Sequence, residues 1–330
     1  MMPMAETKKI LLSGVKPTGR PHIGNYFGAM RQLVELQETY ETCVMIADLH
    51  ALTSVQNREV MTDLIVGVAL DYLAIGLDPK KVTIFKQSDI PAHAELAWIF
   101  DCITTVAYLQ RAHAFKDAES RGKEINVGVF NYPMLMAADI LLYDADIVPV
   151  GQDQKQHIEI ARDTAEKFNR IFGLKGDSAG ASATFKLPKA LILPNVAVVP
   201  GTDGQKMSKS YKNTIPLFAT DEEIKKLVMS IVTDSSADTP KNVYEIHKLF
   251  RPESELKKLY EEKKGRYKDL KEALIADLSA FVAPLRQRRE RLAADKPRVL
   301  EILKAGGGKA TMAAGKKMAL VHARLGTKLY

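Results

Sequence analysis

Cysteine is nearly missing: Cys43 and Cys102 are the only two in 330 residues. Neither stands in a CxxC pair or a Cys/His cluster, which argues against a zinc or iron–sulfur site built on cysteine and against a disulfide framework. Both are expected in the core, Cys43 opening an apolar strand pattern and Cys102 following a helical one. No apolar run is long enough to span a bilayer, and MMPMAETKK at the start is too short and polar for a secretory signal. The expectation is therefore a cytoplasmic protein with no membrane partner. Internal repeats and long low-complexity tracts are also missing.

What is present is the composition of an ordinary globular protein, 46% hydrophobic and 26% charged, at a length that favours two domains. The formal charge of +7 is unevenly spread. Residues 216–330 carry 24 Lys or Arg against 16 Asp or Glu, a surplus of 8, and leave the first 215 residues at −1. A near-neutral domain beside a basic one suits a partner that is a polyanion, although a basic helical domain can also be merely soluble.

Up to residue 215 short apolar strand patterns alternate with helical ones. Strands are expected at 10–12, 43–50, 82–88 and 146–151, with a last one at 188–194 or 196–200. Helices are expected after the first turn, at 58–76, through Trp98 and Phe100, over much of 103–145, and at 155–172. This predicts a doubly wound parallel α/β sheet whose ligand crevice lies at the C-terminal strand ends, where His22, Asp48 and His50 fall. From Asp221 onward the pattern is helical only, with breaks near Pro240, near Pro252 and at Gly306–Gly308. The segment 173–185 reads as a mobile or exposed loop.

Two loops carry the chemistry. SGVKPTGRPHIGNY, residues 13–26, joins the first strand to the first helix through a tight turn. Free amides and the positive end of the helix dipole make that turn a place for phosphate, and Gly24 lets a ligand approach the backbone. His22 adds a donor that is neutral or charged near physiological pH. PGTDGQKMSKSYKNT, residues 200–214, presents Lys206, Ser208, Lys209 and Ser210 around Met207, a set suited to a leaving polyphosphate. Alone, the first is compatible with a plain turn and the second with a solvated basic loop. Together they fit a polyphosphate site better than either alternative.

HIGN at 22–25 and KMSKS at 206–210 resemble the paired signatures of class I aminoacyl-tRNA synthetases, with Asn25 where the first signature more often has His. MIADLHALT at 45–53, YPMLMAADILLYDADIVPVGQDQKQH at 132–157, and their order are similar to the bacterial tryptophanyl branch over nearly the whole chain. The resemblance implies a Rossmann-like catalytic domain over residues 1–215 and an α-helical anticodon-binding domain over residues 216–330. It also implies a homodimer, with its interface in about 103–145. The implied substrates are ATP, L-tryptophan and tRNA(Trp), with Mg2+ held mainly by phosphates and water. The implied reaction is formation of tryptophanyl-adenylate and pyrophosphate, followed by transfer to the terminal adenosine of the tRNA.

By the same resemblance, His22, Gly24 and Asn25 surround the α-phosphate, and Lys206, Met207, Ser208, Lys209 and Ser210 meet the leaving pyrophosphate. Gly151 and Asp153 complete the nucleotide set. Lys116 in AFKDA is a further phosphate candidate, or else a helix-surface lysine; the family's second lysine two residues on is Ala118 here. Asp139, in MAAD, would accept the indole N–H, a group that only donates. Its apolar flanks make an unpartnered carboxylate costly, and the alternative is an acceptor used inside the helix packing. Met136, Val148 and Val150 would wall the ring slot, or be plain core. Tyr132, Asp153 and Gln154 would take the ammonium group, with Gln156 a weaker choice, and His50 joins the substrate set. Asp153 equally suits a helix N-cap.

Lys16 replaces the glutamine of the family's SGxQPSG, turning an amide contact into an ionic one. The resemblance implies that the basic helical domain grips the anticodon arm; Arg286, Arg288, Arg289 and Arg291 are its densest cluster, with Lys316 and Lys317 nearer the end, though three of the four arginines cannot share a narrow helix face and at least some are merely solvated. The rival readings are a tyrosyl-tRNA synthetase, a nucleotidylyltransferase with a related loop, and a noncatalytic paralogue.

Overall fold

The computed structural model describes residues 8–112, 115–116, 119, 125–173, 183–192, 199–233 and 239–329. Five strands form one sheet: β1 (Ile10–Val15), β2 (Glu41–Ile46), β3 (Val82–Lys86), β4 (Ile147–Val150) and β5 (Lys189–Ile192). Their order is β3-β2-β1-β4-β5 and every pairing is parallel. Parallel strands covered on both faces are apolar along their length, as ILLSGV and VTIFK are. The order reverses between β1 and β4, and a crevice opens at that point outside the strand ends.

The helical segments of the first half are α1 (Ile23–Asn25), a π turn (Tyr26–Met30), α2 (Arg31–Leu36), α3 (Asp48–Ala51), α4 (Arg58–Ile75), α5 (Ala92–Asp101), α6 (Val106–Leu109), α7 (Val127–Leu141) and α8 (Lys155–Phe172). Asn57 caps α4 by accepting from the Val60 amide, and Gly76 closes it in the left-handed conformation. Asp48 and His50 stand on α3, just past the end of β2. Asp48 accepts from the Ser88 amide (2.9 Å) and hydroxyl (2.6 Å), which ties the exit of β2 to that of β3.

Then follow α9 (Asp221–Met229), α10 (Lys241–His247), α11 (Glu253–Glu262), α12 (Tyr267–Ala294) and α13 (Lys296–Leu325). The expected break at Gly306–Gly308 does not occur: α13 runs straight through it. These glycines serve contact instead. A β-carbon on Gly306 would lie 1.9 Å from the Ile84 carbonyl oxygen, so the helix lies backbone to backbone against β3, one of the two edge strands.

The hydrophobic core likewise does not stop at residue 216. Leu274, Leu278, Val282, Val299 and Leu303 are continuous with Leu11, Val44 and Ile84, and Ala310, Ala314, Met318 and Val321 join the core on α5, α7 and α8.

Three further expectations are corrected. Cys102 is exposed, because α5 ends at Asp101 and releases it; Cys43 is half-buried, and both are free thiols. The end of the 173–185 segment is buried: Thr184 and Phe185 are covered, the Thr184 carbonyl accepts from Lys317, and Phe185 exchanges two hydrogen bonds with Asn169. Residues 174–182 lie outside the described residues, as do parts of the 103–145 and 196–200 stretches. Among the described residues the last strand is at Lys189–Ile192, the first of its two candidates; residues 196–198 of the second lie outside them.

Candidate active site

The first signature is a helix start closed on itself. His22 is the N-cap of α1; its Nδ1 accepts from the Asn25 amide (3.2 Å) while Asn25 Oδ1 accepts from the His22 amide (3.1 Å). A β-carbon on Gly24 would sit 3.0 Å from that ring, so any larger residue there would push against the imidazole. Because Nδ1 accepts, the ring proton of the neutral imidazole is on Nε2. Burial, then the nearby positive charge of Lys209, push the His22 pKa down to about 4. His22 is therefore neutral at pH 7, and the expectation that it is poised to titrate there is corrected.

The second signature is stitched to the first. The Ile23 amide donates to Ile215 O (3.0 Å) and the Leu217 amide to Pro21 O (2.9 Å). Lys209 Nζ donates to Gly19 O (2.9 Å) and Thr18 O (3.3 Å), carbonyls of the first loop. Burial lowers the Lys209 pKa. Within the loop, Ser208 Oγ accepts from the Ser210 amide and Asn213 Oδ1 from the Ser208 amide, so the serine acts as the cap of a short turn. Met207 is buried in the core, where it anchors the loop, while Lys206 and Ser210 are exposed. Lys116 is exposed and lines neither cavity described below.

A cavity of about 580 Å³ opens at the β1/β4 switch point. Its lining includes His50, Tyr132, Met136, Asp139, Val148, Val150, Gly151 and Gln154, far apart in sequence, together with Lys16 and Thr53. Of the residues expected around an amino acid, Gln156 does not line this cavity, and the side chain of Asp153 lies outside the described residues; the N-cap of α8 is Gln154. Tyr132 Oη is 2.8 Å from His157 Nε2. A second cavity of about 210 Å³ adjoins the first through shared Val15, Lys16, Ala29 and Tyr72, and is also lined by Thr18, Gly19, Asn25, Asp71 and Lys209. Lys16 faces both; it donates to Thr53 Oγ1 (2.9 Å), and burial lowers its pKa.

Asp139 is 3% exposed and accepts three hydrogen bonds. Oδ1 takes one from Gln87 Nε2 (2.7 Å) and one from His93 Nδ1 (2.6 Å); Oδ2 takes one from His50 Nε2 (2.8 Å). Burial pushes its pKa up, but the hydrogen bonds and charge of His50 and His93 outweigh that and hold it at about 2. The carboxylate is ionised at pH 7, with apolar Met136, Ile140, Val148 and Val150 in the lining of the same cavity.

The profile of the tRNA synthetases class I (W and Y) matches residues 4–294. The chain belongs to that family. Two relatives named tryptophan–tRNA ligase span it almost end to end. The one from Fusobacterium nucleatum is 46% identical, covering 93% of this chain and 94% of its own. The one from Rhodopirellula baltica is 47% identical, covering 91% and 94%. A crystal structure of tryptophanyl-tRNA synthetase from Campylobacter jejuni, complexed with ADP and tryptophan, superposes with a TM-score of 0.89 at 41% identity, over 96% of this chain and 99% of that one.

Set within the family fold, several groups at the site escape sequence reasoning. Asp71 and Tyr72 on α4 line the cavities, and Asp71 accepts from Arg289 Nε (2.6 Å). Asp71 sits in the apolar run VALDYLAI, the same signal that marked Asp139. Burial raises its pKa most strongly, and Arg289 opposes that.

Three of the four arginines reach partners on other elements. Arg286 donates to Ala219 O and pairs with Asp221, Arg288 donates to Ala74 O, and Arg289 pairs with Asp71 while its guanidinium lies over the Phe218 ring. Lys317 is buried, 2.6 Å from Asp144. These side chains join α12 and α13 to the rest of the molecule, while Arg291 and Lys316 are exposed and Arg288 is exposed despite its bond to Ala74 O.

Proposed function

We propose that the chain activates L-tryptophan with ATP and transfers it to tRNA(Trp). The aminoacyl-tRNA ligase activity is that of its family, and the observation that carries the choice of amino acid is the apolar slot holding one ionised, buried acceptor. An indole N–H placed on Asp139 completes that acceptor; an analogue without the N–H leaves it unpaired. Met136, Val148 and Val150 then flank the ring, and Tyr132 with Gln154 faces the ammonium end. Lys16, between the two cavities, is placed for the carboxylate or the α-phosphate.

On this reading the smaller cavity receives the phosphates. Neutral His22 donates from Nε2 without adding charge, and Asn25 keeps its amide N–H groups to donate. Lys209 exchanges its carbonyl partners Thr18 and Gly19 for the leaving pyrophosphate, helped by exposed Lys206. The protein's work is alignment of two anions and stabilisation of charge on the leaving group. Among the described residues no group of three His, Cys, Asp or Glu is placed to hold a metal. Magnesium is proposed to come with the nucleotide as a substrate ion, held mainly by phosphates and water.

Residues 216–330 are proposed to meet the tRNA through lysines left exposed, such as Lys258 and Lys268. The proposed homodimer is supported by Trp98, Val106 and Val127, large side chains left 62–79% exposed on the neighbouring helices α5, α6 and α7. Cytoplasm is the proposed compartment.

The test is exchange of labelled pyrophosphate into ATP with tryptophan, tyrosine or no amino acid. Exchange with tryptophan alone is expected. Exchange with tyrosine alone would remove Asp139 as an indole reader, and none at all from folded protein with magnesium would overturn the activation chemistry.

A further inference from the structure

Asp139 is supported by a second layer that never touches the cavity. His93 is fully buried, and its Nδ1 reaches Asp139 Oδ1 while its Nε2 is 2.8 Å from Tyr143 Oη. An ionised carboxylate offers no proton, so His93 must carry one on Nδ1 in either of its charge states; His50 must carry one on Nε2 for the same reason. In the neutral ring, His93 Nε2 accepts from the Tyr143 hydroxyl.

The accounting at the carboxylate is asymmetric. Oδ1 receives two donors, from His93 and Gln87, and is saturated; Oδ2 receives one, from His50, and keeps one acceptor direction. Gln87 is itself fixed, because its Oε1 accepts from the Leu49 (3.1 Å) and His50 (3.4 Å) amides at the start of α3. The two donors on Oδ1 thus lock the plane of the carboxylate, and Asp139, which lines the 580 Å³ cavity, keeps its remaining acceptor direction on Oδ2.

We propose that His93 is a positioning residue for amino-acid selection: by holding Oδ1 from behind, it fixes the orientation of Asp139 and so sets how strongly the site prefers a ring with an N–H over one without. This rests on the tryptophan reading above. His93 itself touches no substrate. Its loss frees Oδ1 to rotate towards the cavity or to pick up a proton, and a protonated carboxyl is a weaker acceptor for the indole N–H than the carboxylate, with one oxygen now a donor.

The experiment compares kcat/KM in pyrophosphate exchange for tryptophan and for 3-(benzothiophen-3-yl)alanine, which has the same shape with sulfur in place of N–H. It uses the full chain and two polar variants. His93→Asn keeps an amide donor where Nδ1 stands; His93→Gln carries its amide onward towards Tyr143. The wild-type protein is expected to favour tryptophan. His93→Gln lowers that preference by about 10-fold, the size of one charge-assisted hydrogen bond, with KM for ATP unchanged. His93→Asn stays within about threefold of wild type on the same grounds.

A preference unchanged in His93→Gln, or both substrates and both variants falling together, would reduce His93 to packing and overturn the proposal while leaving the tryptophan reading intact. A wild-type protein that does not distinguish the two amino acids would overturn the reading itself. Should either variant fail to fold, 15N shifts of labelled histidine in the wild-type protein decide the matter: a His93 ring without a proton on Nδ1 at pH 7 is incompatible with the proposal.

Discussion

The imidazole of His22 is neutral at pH 7, because burial first and the charge of Lys209 second hold its pKa down. Its pKa of about 4 in the folded chain lies below the ordinary value of 6.5. Between those values the unfolded chain binds a proton that the folded chain refuses. The contribution of His22 to stability is therefore complete above pH 6.5 and is lost as pH falls towards 4. In an NMR titration of the ligand-free protein, the His22 ring signals are expected to stay flat from pH 8 to 5.5 and to move with a midpoint near 4. A midpoint at 6 or above would put a charged ring at the phosphate site.

At this scale the sequence shows which residues resemble a signature but not what each faces. Lys16, His50, Tyr132, Met136 and Asp139 carry recognisable local patterns and do converge on one cavity. His93 sits in AHAELAW with no local mark, because its meaning comes from Asp139 and Tyr143, which lie far along the chain. Arg286, Arg288 and Arg289 look like a patch for a polyanion when charges are counted; their partners Asp221, Ala74 O and Asp71 are visible only after folding.

Among the elements, α13 departs most from expectation. Three consecutive glycines read as a break because glycine is a poor helix former, costing about 1 kcal/mol each relative to alanine. That local cost is outweighed by contact: without β-carbons, the helix backbone reaches the backbone of β3 at Ile84.

The two roles of glycine separate by substitution. Gly306→Ala would place a β-carbon 1.9 Å from a main-chain oxygen that cannot swing aside, and should cost at least about 1–3 kcal/mol. Gly315→Ala, on the exposed face of the same helix with nothing within 4 Å, should gain about 0.5–1 kcal/mol. Urea unfolding midpoints would report both, and a harmless Gly306→Ala would mean that the helix does not lie where the structure puts it. The remaining elements are largely legible, with α4 ending at Ile75 before Gly76, and α8 spanning 155–172 as its periodicity implies.

For the molecule as a whole, the alternation of strands and helices announces the doubly wound sheet, and the loss of strand patterns near residue 216 announces the all-helical remainder. What the pattern does not carry is where that remainder docks. Val299, Leu303, Ala310, Ala314, Met318 and Val321 share the core of the sheet, and Lys317 is buried against Asp144 and Thr184. A chain ending at Asp295 is therefore expected to lose more than tRNA binding. Circular dichroism during heating should show no cooperative transition near that of the full chain, and amino-acid activation should vanish with it. A truncated protein that melts cooperatively and still exchanges pyrophosphate would show α13 to be an accessory.

The seat of α13 on β3 also bears on how the protein is made. Ile84 leaves the ribosome long before Gly306, so this edge strand emerges without the helix that will cover it. An uncovered strand is a template for pairing with other chains, and a contact of such large sequence separation forms slowly. The nascent enzyme must carry an unfinished sheet border through most of its synthesis, and its fold closes only when α13 has cleared the exit tunnel.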